Sequence, residues 1–164
     1  MNETVSCFLE IGGLIHEDDL PDLAAAIDEE DHLEGTALEV LNSKTSNNLF
    51  SFTGVQFGVI PDGIADALAR FNISYAWQND SGVGIESAVA LQDAASGEKA
   101  LYASAEGFIM LSIKAAENPL ELKKAKAWES FQARLSLTIS RSAHERIAML
   151  KTPRAKAFLY ETPE

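Results

Sequence analysis

The chain has 164 residues, 46% of them hydrophobic, and carries a net charge of −12 from 25 acidic and 13 basic side chains. That balance excludes a disordered chain, and at this length folding buries about 69% of the extended chain's surface, enough for a core without metal or disulfide. The single cysteine, Cys7, excludes an intramolecular disulfide and a four-cysteine zinc site.

Val5, Cys7, Leu9 and Ile11 alternate, which predicts a strand over Val5–Ile15 with a buried structural thiol at Cys7. Leu20, Leu23, Ala24 and Ile27 then recur at helical spacing. Ala37–Leu41 and Leu49–Phe52 read as two strands, and Val55, Phe57 and Val59 as another, running into Pro61, a residue suited to a helix start. Ile64, Ala67, Leu68 and Phe71 repeat the first helical stripe 44 positions on. Ile73, Tyr75 and Trp77 alternate, as do Ile85, Ser87, Val89 and Leu91, with turn signals at Asn79–Gly82 and Ala95–Glu98. Leu101–Ala103 and Phe108–Ile113 follow as strands. After Pro119 the longest helix carries Ala125, Trp128, Phe131, Leu135 and Ile139 on one stripe, and a short helix is expected over Ala143–Leu150.

These elements predict an α+β fold in one domain spanning 1–164. Two ferredoxin-like βαββ halves, 5–53 and 54–113, share an antiparallel sheet with helices on one face. A C-terminal helical segment, 114–151, packs on or beside the sheet, and 152–164 form a tail. Met1–Thr4 offers neither a basic stretch nor a cleavage site, and no apolar run approaches the roughly 18 residues of a membrane span, so a cytoplasmic protein is expected.

Charge is segregated along the chain. Residues 1–98 hold 18 acids against Lys44 and Arg70, a charge of −16, whereas 99–164 carry +4. An anionic region of this strength repels nucleic acid and anionic membrane and attracts basic surfaces. The densest stretch comprises Glu17 and the eight residues Asp18, Asp19, Asp22, Asp28, Glu29, Glu30, Asp31 and Glu34. Its first part lies at a predicted helix start, where the dipole favours carboxylates; Asp28–Asp31 lie at the end of the same helix, where it does not. Those eight residues are therefore the candidate partner-binding set. The C-terminal bases, Lys123, Lys124, Lys126 and Arg141 among them, read as a solvated face and as internal partners for the acidic half.

Catalytic signatures are missing. Gly82-Val83-Gly84 lacks the third glycine of a dinucleotide site, and His144-Glu145 is not completed by histidine at 148. His16 and His32 bracket the first helix about 24 Å apart, too far to share an ion with Asp18, Asp22 and Asp28. No cofactor, metal or catalytic residue is assigned, and the chain is not expected to be an enzyme. Tyr75 and Trp77, in acidic surroundings, are expected to pack in the core rather than stack on bases.

The function expected from these features is that of an acidic binding protein. It would inhibit or sequester a basic, nucleic-acid-handling partner by presenting a nucleic-acid-like negative surface, in the manner of anti-restriction, anti-CRISPR or nuclease-immunity proteins. Alternatives are a self-associating interaction module, a possible homo-oligomer in which the basic part of one chain meets the acidic part of the next, and a small-ligand binder or enzyme using a cleft between the two halves.

Overall fold

The computed structural model describes residues 4–30, 36–42, 49–56, 59–82 and 85–141. Along the chain run β1 (Thr4–His16), a 3-10 turn (Glu17–Asp19), α1 (Leu20–Asp28), α2 (Ala37–Asn42), β2 (Leu49–Gln56), α3 (Asp62–Arg70), β3 (Ser74–Asn79) and β4 (Ala88–Gln92). β5 (Lys99–Ala105), β6 (Phe108–Met110), α4 (Ile113–Ala116), α5 (Pro119–Ala133) and β7 (Leu137–Ser140) complete it. The fold is α+β. Six strands form an antiparallel sheet in the order β2-β1-β3-β4-β5-β6, and β7 joins β1 in parallel.

Alternation along β1 decides what lies on each side. Val5, Cys7, Leu9 and Ile11 point to one face, where they meet Phe50, Phe52, Tyr75 and Trp77 from the flanking strands. The stripes Leu20, Leu23, Ala24, Ile27 on α1 and Ile64, Ala67, Leu68 on α3 close over them. Fully burying each large side chain contributes about 1.5–3 kcal/mol. On the other face Ala76, Val89 and Leu91 form a second core with Trp128 and Phe131 of α5 and with Leu135 just beyond it. The expected C-terminal helix on the sheet is present, but on the side opposite α1 and α3. The expectation of helices on a single face is corrected, because β3 and β4 carry apolar residues on both sides.

Two duplicated halves are not reproduced. Ala37–Asn42 is helical, not a strand: Ala37, Val40 and Leu41 are buried at i, i+3, i+4, and Thr36 caps the turn by accepting the Glu39 N–H at 3.3 Å. The strand expected at Leu49–Phe52 runs on through Val55 as one strand, β2; Phe57 lies outside the described residues and Val59 is in no strand. What remains is a split β-α-β unit, with β2 and β3 lying on either side of β1 and joined through α3.

The helical stripe expected to continue to Ile139 breaks at Arg134, and Leu137–Ser140 pairs with Gly13–His16. Gly12 and Gly13 permit this. A Cβ at Gly12 would meet the Ser136 nitrogen at 2.8 Å, and Gly13 holds φ +136° while its N–H donates to Ser136 O at 3.0 Å. The turn after β4 is built on buried Asp93, whose carboxylate accepts the Ala95 N–H at 3.0 Å and the Ser96 hydroxyl at 2.9 Å. No helix among the described residues is long and apolar enough to cross a membrane. The short helix expected at Ala143–Leu150 and the tail lie outside the described residues.

Candidate functional site: an acidic helix face

The three helices α1, α2 and α3 lie side by side on one face of the sheet, each turning its apolar stripe inward. What they leave outward is acidic. Asp22 of α1, Glu39 of α2, and Asp62 and Asp66 of α3 are exposed, with Asp28 and Glu29 at the end of α1. Arg70 is the single base among the described residues of this layer, and its guanidinium sits 4.6 Å above the Phe71 ring.

The candidate residues divide by role. Asp18 and Asp19 lie in the 3-10 turn that precedes α1, which His16 caps: its Nδ1 accepts the Asp18 N–H at 3.1 Å, with the Asp18 carboxylate 3.5 Å away. The other ring nitrogen, Nε2, is buried and has no hydrogen-bond partner among the described residues. Glu17 beside them accepts from Arg141 Nη1 at 2.7 Å, so one C-terminal base is an internal partner of the acidic half. Lys123, Lys124 and Lys126 are exposed on α5, on the far side of the sheet.

Asp28 is structural. Its Oδ1 accepts the Ala37 N–H at 2.8 Å and so holds the first turn of α2 against the end of α1. Glu29 places Oε2 beside Gly63, 3.6 Å from where a Cβ would stand, in the first turn of α3, where the unsatisfied N–H groups favour an anion. Its position at the unfavourable end of α1 is thus offset by the favourable end of α3. Glu30 is half-buried just past α1. Asp31 and Glu34 lie outside the described residues, as does His32. Sequence reasoning passed over Glu39, Asp62 and Asp66, although Asp62 and Asp66 stand at i, i+4 opposite the apolar stripe of α3.

Comparison with protein-family models, with curated proteins and with solved structures returned no match. The chemistry open to the site is therefore read from its own groups. Among the described residues no three histidine, cysteine, aspartate or glutamate side chains gather so as to hold a metal ion. Cys7 is buried, and burial, with the Asp80 charge adding to it, pushes its thiol up to about 12. The aromatics Phe50, Phe52 and Trp77 are in the core, with Phe52 and Trp77 centroids 5.3 Å apart. The arrangement presents negative charge from three helices on one side of the sheet.

Proposed function

We propose that the protein is an acidic binding protein whose α1–α2–α3 face docks on a cationic surface of a partner macromolecule. The observation that carries this reading is the convergence on one side of carboxylates from three helices, with Arg70 the single base among the described residues of that layer. Long-range attraction from such a face speeds encounter with a basic patch and rejects polyanions. The finer reading is that the partner handles nucleic acid and is inhibited or sequestered, the carboxylates standing in for phosphates by charge.

The test is a pull-down from the native host at two salt concentrations, followed by affinity measurement with the captured protein. The triple variant Asp22→Lys, Glu39→Lys, Asp66→Lys reverses exposed charge with no cap removed. Unchanged circular dichroism with at least about tenfold weaker binding supports the reading, and unchanged affinity overturns it. Asp28 is left intact because its loss perturbs α2.

A further inference from the structure

One buried titratable group takes no part in the acidic face. His16 ends β1 and is only 4% exposed, in register with buried Ser140 of β7 and directly before the 3-10 turn that feeds α1. Its Nδ1 accepts the Asp18 N–H at 3.1 Å, and Oδ2 of the same residue stands 3.5 Å from that nitrogen. A single residue thus offers one ring atom both a donor and an acceptor. A ring nitrogen that accepts carries no hydrogen, whereas both nitrogens of a charged imidazole carry one and donate. The cap and the charged ring therefore exclude each other. Nε2 supplies no alternative, being buried without a partner among the described residues. Among those residues, the charged groups of the elements that meet at the ring come from three places. Its own turn brings Glu17, Asp18 and Asp19; β7 brings none before Arg141, whose Nη1 donates to Glu17 at 2.7 Å; and α1 brings Asp22, exposed in its first turn.

We infer that His16 is a proton-operated switch at the junction of β1, α1 and β7. The neutral ring caps the turn. The charged ring, having taken a proton from solvent at Nδ1, lets go of the Asp18 N–H and pairs with the Asp18 carboxylate instead. The move is short, because both partners belong to one residue, and the Asp18 side chain, 64% exposed, has room to turn. The bistable element is the 3-10 turn, whose first N–H groups have no carbonyl of their own turn to bond and which the ring holds at Asp18. Loss of that cap loosens the turn where Glu17 ties Arg141 at the end of β7, so acid slackens both the start of α1 and the tie on β7. The switch rests on the ring and the turn alone and holds whether or not the helix face binds a partner.

Nuclear magnetic resonance on the full chain, stepped through the pH range in which the His16 ring itself charges, tests the inference. The Asp18 amide should lose protection about fivefold or more beyond the ordinary pH dependence of exchange, the factor that a lost cap corresponds to. The carboxylate carbon of Asp18 should shift with the same midpoint as the ring, while the amides of α3 hold their protection. His16→Asn keeps a side-chain oxygen for the Asp18 N–H and cannot charge, so its Asp18 amide should show no such step. An Asp18 amide that stays protected while the wild-type ring charges overturns the inference, and so does the same step in His16→Asn. A ring that remains neutral until the whole chain unfolds overturns it as well.

Discussion

Cys7 and Glu10 lie on opposite faces of β1, and each has its ionisation set by burial. The Cys7 thiol, pushed up to about 12, stays protonated at pH 8, so a thiol reagent added to the folded protein should modify it only at the rate of opening. Stoichiometric labelling within the mixing time would contradict this. Glu10 is half-buried, and burial holds its carboxyl above the ordinary carboxylate range, opposed by Gln132, whose Nε2 donates to Oε1 at 3.5 Å. Between the unfolded and the folded pKa the folded state therefore holds a proton that the unfolded chain has released. The resulting penalty is absent below the unfolded pKa, develops as pH rises through it, and is complete above the folded value. Glu10→Gln should raise the thermal midpoint at pH 7, and the gain should vanish in measurements below the ordinary carboxylate pKa.

At the scale of elements, β7 depends on what β1 omits. Gly12→Ala would set a Cβ 2.8 Å from the Ser136 nitrogen and 2.9 Å from Leu135 Cδ2, backbone and packed side chain alike. It should cost about 1–3 kcal/mol in chemical denaturation, with the loss centred on the α5–β7 junction. Asp28 makes a parallel case: Asp28→Asn keeps an oxygen for the Ala37 N–H, whereas Asp28→Ala leaves it unmatched and should cost about 0.5–2 kcal/mol. A stability difference between the two variants checks the cap. Both features explain where sequence reading failed. Thr36 and Glu39 have the spacing of a helix start, but Ala37–Leu41 is too short for periodicity to separate helix from strand. Leu137–Ile139 continued the α5 stripe by spacing alone. Its strand character comes from a partner more than 120 positions away.

For the whole molecule, an anionic helix face opposite the lysines of α5 predicts strongly salt-dependent association. Going from about 0.1 M to about 1 M salt shortens the screening length from about 10 Å to about 3 Å. Partner affinity should fall steeply over that range. Affinity for the captured partner measured at both salt concentrations checks this. Long periodic segments were legible in the sequence by themselves: β1, α1, α3, β3 and the body of α5 follow from spacings of two or of three and four, set by local backbone geometry. The segregation of charge was equally legible, because it is a property of the chain. Which carboxylates stand together was decided by tertiary structure: Asp22 and Asp66 are 44 positions apart and share a face only because α1 and α3 pack on the same side of β1. The course of β2 on through Val55 was decided there as well. Local patterns say which side of an element is apolar, whereas only the packing of distant segments determines what covers it.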